Sequence, residues 1–232
     1  MKMGIQATHS SRTHVFFRKA SMQFLARSLS IVSFSLAASL HMQASHDLVN
    51  IQKINPTIRL DILYATTNNF THKKVYPSAH CFLRRSVAKN LDLVQKELQK
   101  QGLGLKIFDG YRPLSVQKKF WAICPDSRYV LNPNKPGGSR HNRGIAVDVT
   151  LIDLKTGKEL EMPSGYDDFS SNAHRDYKAI EKRNPIAAKN CKLLETVMHK
   201  HGFRGIKTEW WHFDFKSLES SPALDVSFKK LL

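Results

Sequence analysis

The stretch SRHNRGIAVDVTL, residues 139–151, joins a loop to a strand and carries a histidine and an aspartate seven positions apart. Aliphatic residues alternate with smaller or polar ones through its second half: Ile145, Ala146, Val147, Asp148, Val149, Thr150 and Leu151. This alternation predicts a β-strand in which Asp148 projects from the face opposite the valines. His141 lies in the loop before the strand, and Gly144 lets the chain bend so that both side chains can reach one point. Alone, this spacing is weak evidence of a metal site, because a satisfied surface histidine explains it more simply.

The remaining sequence predicts a mixture of helices and strands. Strands are expected at 58–62, 103–108 and 209–215, and helices at 83–101, at 115–123 and from Pro185 to Gly202. The helix at 83–101 has apolar residues at helical spacing, and Gly102 closes it. Because helices and strands do not alternate as regular βαβ units, the predicted fold class is α+β, with helices packed around a small, mainly antiparallel β-sheet.

The first 44 residues have the composition of a secretory signal. They contain five basic residues and no acid, followed by an uncharged apolar run at 29–40 and small residues that end at Ala44. This order is typical of an export signal, and the apolar run is too short to span a bilayer. The sequence therefore predicts a signal at 1–44, starting at Met1 or Met22 and either cleaved or kept as an anchor. It also predicts a single domain at 45–232 that resides in the periplasm.

The charge balance constrains the partners of the chain. Its 232 residues include 36 basic and 19 acidic ones, and the formal net charge of +17 falls to +12 without the five basic residues of the signal. Such an excess can attract nucleic acid, anionic lipid or an acidic polymer. The export signal argues against nucleic acid, and no block of lysine and arginine is long enough to form a binding tail. We expect a solvated basic surface, with no stable membrane insertion unless the signal is retained; homo-oligomerisation is left open.

Three cysteines are present, at positions 81, 124 and 191. No CxxC motif occurs, which argues against a thiolate zinc cluster. In an exported chain two of the cysteines can pair. Cys81 and Cys124 both lie at the ends of predicted elements, where a disulfide is geometrically easier, whereas Cys191 lies within a helical pattern. The sequence therefore favours a bridge between Cys81 and Cys124.

A second cluster, Glu209-Trp-Trp-His212, increases the weight of the first. His212 offers a third metal ligand, and the two tryptophans form an apolar wall that would raise the pKa of Glu209 toward the range of a general base. In a regular strand Glu209 and His212 face opposite sides, so we expect Glu209 at the entry of the strand or on a bulge. Without a metal, the tryptophans would be core residues and Glu209 a surface acid.

A third feature, Asp109-Gly-Tyr-Arg-Pro113, follows a predicted strand. Pro113 restricts the backbone next to Arg112, and a fixed guanidinium near a zinc ion would stabilise the oxyanion of a tetrahedral intermediate. Asp109, three residues earlier, would hold the arginine in place. A structural Asp–Arg pair in a turn is the alternative.

Together these features resemble the VanX-type zinc D-alanyl-D-alanine dipeptidases, which belong to the His/Asp/His zinc D,D-peptidases. The resemblance rests on SxHxxGxAxD at 139–148, ExxH at 209–212 and DxYRP at 109–113. It runs from about residue 55 to the final strand. The resemblance implies one zinc ion per chain, and its ligands would be His141, Asp148 and His212.

The resemblance also implies roles for the residues around the zinc. Glu209 would be the catalytic base, and Arg112 would stabilise the transition state. Ser139 would lie beside the carboxylate end of the substrate, Asp167 would receive its free amino group, and Asp109 would belong to the same substrate-binding set. One position departs from the family pattern, because Asn190-Cys191 stands where Asn-Arg is expected.

The implied activity is hydrolysis of the D-Ala-D-Ala dipeptide to D-alanine by a zinc-activated water. A D,D-carboxypeptidase or endopeptidase that acts on peptidoglycan stem peptides is the first alternative, and it would need an open groove in place of a closed pocket with an acid. Tyr166-Asp167-Asp168 favours the dipeptidase. A zinc-containing binding or signalling domain without catalysis is the second alternative, but such a domain would need neither Glu209 nor Arg112.

Overall fold

The structure of the chain, a computed structural model, describes residues 47–135 and 138–232. The expected signal at 1–44 lies outside the described residues. Within the described part, no helix combines the length and the apolar character that a membrane crossing requires.

Seven strands occur in the described residues: β1 (Leu48–Asn50), β2 (Arg59–Leu60), β3 (Phe82–Arg84), β4 (Leu103–Asp109), β5 (Ala146–Asp153), β6 (Phe203–Gly205) and β7 (His212–Phe215). Five of them form one sheet in the order β2-β4-β5-β7-β6, and β1 pairs with β3 in a second, two-stranded sheet. In the larger sheet β2 is parallel to β4 and every other pair is antiparallel. The prediction of a mainly antiparallel sheet is therefore confirmed.

The described residues also form five α-helices: α1 (Ile51–Ile54), α2 (Arg85–Gln99), α3 (Leu114–Ile123), α4 (Tyr177–Arg183) and α5 (Pro185–Lys200). The apolar face of α2 is fully buried at Val87, Leu91, Val94 and Leu98. Burial of each such side chain stabilises the fold by roughly 1.5–3 kcal/mol. The mixture of these helices with the sheet confirms the α+β class.

Helix α2 is tied to the sheet by a polar contact as well as by its apolar face. Gln95 is fully buried, and its Oε1 accepts a hydrogen bond of 2.7 Å from the backbone N–H of Leu105 on β4. This bond satisfies a buried polar side chain and a strand amide together. The bond also fixes the position of α2 along β4, and Asp109 is the last residue of that strand.

The register of three neighbouring strands places their chemically active residues in one row. Asp148 on β5 lies opposite His212 on β7. On its other side, Asp148 lies opposite Asp109 on β4, after a register shift between Ile107 and Asp109. An extra residue of this kind re-aims the side chains that follow it. The row Asp109–Asp148–His212 therefore crosses the middle of the sheet.

The predicted disulfide between Cys81 and Cys124 is wrong, because all three cysteines are free. Cys81 is buried, and its sulfur lies against the backbone of Gly110, where an added Cβ would come within 2.5 Å of it. The thiol therefore points into the core beneath the turn after β4. Cys124 lies just after α3 and is partly exposed. Burial raises the pKa of the Cys81 thiol well above its usual value.

Gly144 separates the His141 turn from β5, and we predict that it tolerates alanine poorly. Its φ is +68°, and an added Cβ would lie 2.7 Å from Leu48 Cδ2. Gly157 has a similar φ of +71° but open space around it. Both alanine variants should lose about 1–2 kcal/mol because of the left-handed backbone. Gly144→Ala should lose about 1–3 kcal/mol more through the steric clash. Urea unfolding of the two variants measures the difference, and equal losses would contradict the close contact.

Candidate metal centre

Three donor atoms converge at the ends of β5 and β7. The Nδ1 atom of His212 lies 3.0 Å from Asp148 Oδ1 and 3.1 Å from His141 Nε2, and the last two atoms are 3.4 Å apart. All three residues are buried. Asp148 and His212 are held by strand pairing, and His141 by a 3₁₀ turn, Arg140–Arg143. The three residues predicted as ligands are thus brought together in the geometry of a metal site.

The outer hydrogen bonds of the two histidines determine which nitrogen faces the centre. Nδ1 of His141 lies 2.7 Å from the carbonyl oxygen of Gly110, and Nε2 of His212 lies 2.9 Å from Asp214 Oδ1. A carbonyl and a carboxylate only accept, so each ring donates outward and turns a lone pair inward. The third donor is the carboxylate of Asp148. Three lone pairs that face one another at this spacing repel one another, and a cation between them removes that repulsion.

Zinc fits this donor set. Ligands at 2.0–2.1 Å in a tetrahedron lie about 3.3 Å from one another, which matches the observed separations. Two imidazoles and one carboxylate leave the fourth position open, as in catalytic zinc sites. The second oxygen of Asp148 accepts a hydrogen bond of 3.0 Å from the hydroxyl of Tyr166, so the carboxylate offers one oxygen to the ion.

Glu209 lies beside the centre but outside the ligand set. It precedes the first residue of β7 by three positions, and its Oε2 is 3.8 Å from His212 Nδ1. The strand predicted from residue 209 therefore begins only at His212, and both side chains reach one side of the sheet. Partial burial raises the pKa of Glu209 above its usual value. A carboxylate with a raised pKa next to a metal is suited to accept and return a proton.

Arg112 presents a fixed guanidinium to the same cavity. Asp109 Oδ2 accepts from its Nε at 3.1 Å and its Nη2 at 2.6 Å, while Gln117 Oε1 accepts from Nη1 at 2.9 Å. The ring of Phe120 lies 4.7 Å from its Cζ. These contacts leave few alternative rotamers, so the positive charge of Arg112 stays near the metal centre.

The resemblance placed Asp109 among the substrate contacts, but in the structure Asp109 does not reach the cavity. Its side chain is fully buried and does not line the cavity. Besides Arg112, its Oδ1 accepts from the hydroxyl of Tyr76 at 2.8 Å and from the backbone N–H of Gly110 at 2.8 Å. Asp109 therefore lies behind Arg112 and orients it.

The two candidate acids at 167 and 168 differ in what they contact. Asp167 lines the cavity, and its carboxylate accepts from the hydroxyl of Tyr64 at 2.9 Å. Its backbone φ is +58°, a conformation that directs the side chain inward and that aspartate tolerates better than most residues. Burial raises the pKa of Asp167 to about 7. Asp168 also lines the cavity, but its carboxylate accepts from the backbone N–H of Ser170 at 2.8 Å, so Asp167 is the better candidate to receive an amino group.

A cavity of about 790 Å³ joins these groups. The metal ligands line it together with Glu209 and Arg112, and Ser139 lies beside His141 with its hydroxyl accepting from the backbone N–H of that residue at 3.3 Å. Aromatic side chains contribute much of the remaining wall, namely Phe70, Phe120, Tyr129 and Phe169. Phe169 is also partly exposed and packs on Tyr129, so this pair forms the rim of the cavity.

Three contributors to the site were missed by sequence reasoning. Tyr64 supports Asp167, Tyr166 supports Asp148, and Asp214 supports His212. The last could have been found, because residues two apart on a strand point to the same face, and a histidine ligand usually has an outer carboxylate or carbonyl partner. Tyr64 lies far from the motifs along the chain and gives no such signal.

A mixed sheet whose strand ends hold two histidines, a carboxylate and a nearby glutamate defines a zinc hydrolase. The family model of peptidase M15, described as D-ala-D-ala dipeptidase, matches residues 44–225. The chain therefore belongs to the peptidase M15 D-Ala-D-Ala dipeptidase family.

Individual relatives cover most of the chain. The D-alanyl-D-alanine dipeptidase of Escherichia coli (strain K12) is 35% identical over 191 residues, which are 81% of this chain and 94% of that protein. The D-alanyl-D-alanine dipeptidase of Enterococcus faecalis (strain ATCC 700802 / V583) is 32% identical over 174 residues, which are 67% of this chain and 85% of that protein. One from Streptomyces coelicolor is 29% identical over 78% of this chain and 96% of that protein.

The outer carboxylate of Asp214 should contribute to zinc affinity. Asp214→Asn keeps the size of the side chain but weakens the hydrogen bond that orients His212, and loss of such partners typically weakens metal binding by about 10–100-fold. Competition with a chelator measures the affinity. Asp61→Asn removes a carboxylate that pairs with Lys106 away from the centre and is the matched control. Equal affinities in the two variants would exclude this role for Asp214.

Proposed function

We propose that the chain is a zinc dipeptidase that hydrolyses D-alanyl-D-alanine to two molecules of D-alanine. The observation that carries the proposal is one cavity lined by a metal-ligand set, a glutamate, an arginine and a half-buried acid, Asp167. The names of the relatives in Escherichia coli and Enterococcus faecalis agree with this substrate. A dipeptide has a free ammonium group close to its scissile bond, which an acid in the wall of this cavity would recognise.

The residues of the chain divide the reaction between them. When bound, zinc acts as a Lewis acid that makes water nucleophilic near neutral pH. Glu209 removes a proton from the attacking water and later delivers it to the leaving amine. Arg112 donates hydrogen bonds to the oxyanion as its charge develops, because Asp109 and Gln117 already hold the guanidinium in position.

The two ends of the substrate are bound by different groups. Asp167 accepts hydrogen bonds from the ammonium group. Because the pKa of Asp167 is raised, the arriving positive charge favours its carboxylate form. The hydroxyl of Ser139 lies next to His141 and is proposed to contact the carboxylate end. A stem peptide blocked at its amino end would bring an uncharged amide to Asp167 and leave this acid without a charge partner, which disfavours the carboxypeptidase alternative.

The function is tested by release of amine from D-Ala-D-Ala and from N-acetyl-D-Ala-D-Ala, each with and without a chelator. The free dipeptide should be cleaved, the acetylated one cleaved poorly, and the chelator should abolish activity. Glu209→Gln should retain zinc and lose about 10²–10⁴-fold in turnover, because it cannot accept a proton. Cleavage of the acetylated substrate alone would overturn the dipeptidase assignment, and chelator-resistant activity would overturn the zinc mechanism.

A pair of neighbouring variants tests the recognition of the amino group in the same assay. Asp167→Asn should raise KM for D-Ala-D-Ala by about 10–100-fold, the value of a hydrogen bond to a charged group. Asp168→Asn is the matched control, because that carboxylate is bonded to the backbone of Ser170. Equal effects on KM would mean that the wrong acid has been assigned.

We also propose that the enzyme is exported and acts in the periplasm, with the basic, apolar and small-residue order at 1–44 as support. An exported enzyme does not meet the cytoplasmic dipeptide pool that serves wall synthesis, so its proposed role is scavenging or wall turnover. Fractionation of cells that express the full chain, or a chain that starts at Ser45, tests the location. Only the full chain should reach the periplasm, and equal distribution would argue against a signal.

A further inference from the structure

Arg175 lies behind the metal centre and contacts the backbone that carries Glu209 and His212. Its side chain is 5% exposed. Its Nε donates to the carbonyl oxygens of Ile206 at 2.9 Å and Glu209 at 3.2 Å, and its Nη2 donates to that of His212 at 2.9 Å. One guanidinium thus binds three backbone carbonyls of a single segment, residues 206–212.

This segment has little regular structure of its own before β7. Residues 206–211 belong to neither a helix nor a strand. Their backbone groups are satisfied largely by residues 173–175: the N–H of Arg175 donates to Lys207 at 2.8 Å, and the N–H of Trp210 donates to Ala173 at 2.9 Å. The position of Glu209 is therefore set by contacts with this neighbouring loop and with the Arg175 guanidinium.

The guanidinium is itself held on three sides. The ring of Phe213 lies 4.2 Å from its Cζ, and Glu195 Oε1 on α5 lies 3.6 Å from its Nη1. Glu195 also accepts from the hydroxyl of Tyr177. Gly205 gives the group room, because a Cβ at that position would lie 2.4 Å from Arg175 Cζ. A buried charge with a fixed counter-charge and a fixed ring contact is well suited to hold other groups still.

We propose that Arg175 is a positioning residue, whose guanidinium holds residues 206–212 so that the Glu209 carboxylate and the His212 ring both face the zinc ion. The inference rests on the proposed function for the roles of those two residues. Lysine cannot replace arginine here, because its single ammonium lacks the planar fork that reaches carbonyls on both sides.

Two variants disturb the same contacts by different means. Arg175→Lys keeps the positive charge and removes the fork, whereas Gly205→Ala keeps the arginine and displaces its guanidinium. Arg183→Gln is the matched control. Arg183 donates a hydrogen bond to Asn172, which directly precedes the loop at 173–175, but its own side chain is exposed. Each protein is assayed for kcat and KM on D-Ala-D-Ala, for zinc affinity by chelator competition, and for the visible spectrum of its Co²⁺-substituted form. Thermal unfolding identifies variants that are folded at the assay temperature.

Arg175→Lys and Gly205→Ala should each lower kcat by about 10–100-fold, since a shift of about 1 Å in a reacting group costs that much. KM should stay within about threefold, because Asp167 and Ser139 are untouched. The Co²⁺ spectrum should change in both variants as the His212 ring turns, and zinc affinity should fall. Arg183→Gln should match the wild type in every measurement.

A folded Arg175→Lys with wild-type kcat and Co²⁺ spectrum would overturn the inference, as would a variant that loses only thermal stability. If Arg175→Lys does not fold, Gly205→Ala decides in the same way. If the wild type does not cleave D-Ala-D-Ala, the proposed function fails, while the Co²⁺ spectra still decide whether Arg175 positions the metal ligands.

Discussion

The antiparallel pairing of β5 with β7 is the constraint on which the rest of the site depends. It places Asp148 directly opposite His212, and side chains in such a pair stand only about 4.5–5.5 Å apart at Cβ. A carboxylate and an imidazole at this distance share one small volume without any loop having to close. The turn that carries His141 needs only to add a third donor, and Gly144 allows the sharp change of direction between that turn and the strand.

The donors are useful because a second set of contacts restricts each of them. Gly110 and Asp214 orient the two imidazoles, Tyr166 orients the carboxylate, and Asp109 orients Arg112. Asp109 and Gly110 leave β4 at the bulge, so one irregularity in the sheet supplies a partner for the arginine and another for His141. The bulge therefore connects His141 to Arg112, although the two are far apart in sequence.

The sequence allowed the motifs and the fold class to be predicted, but not the contacts between distant segments. His141, Asp148 and Glu209 carry the residue types that zinc hydrolysis needs, and their roles were expected from the three motifs together and from the family resemblance that those motifs carry. The start of β7 at His212 could not be predicted from the sequence, because it depends on contacts between residues 207–210 and the loop at 173–175. The proposed role of Arg175 leaves no motif either, since backbone carbonyls are the same in every residue. The predicted Cys81–Cys124 bridge was wrong for a related reason: a disulfide is geometrically easier at element ends, but packing against Gly110 directs the Cys81 thiol inward.

Charge balance explains why one cavity can hold several acids. Asp148 and Glu209 lie near the metal position, and Asp167 lies farther along the wall beside Tyr64. A zinc ion and Arg112 would compensate the first two, and the proposed partner of Asp167 is the ammonium group of the substrate. Burial raises the pKa of Asp167 to about 7, and in the proposed function the incoming ammonium favours its charged form. A peptide without a free amino group would enter the same cavity and leave Asp167 without a charge partner, which is the proposed basis of selection for the dipeptide.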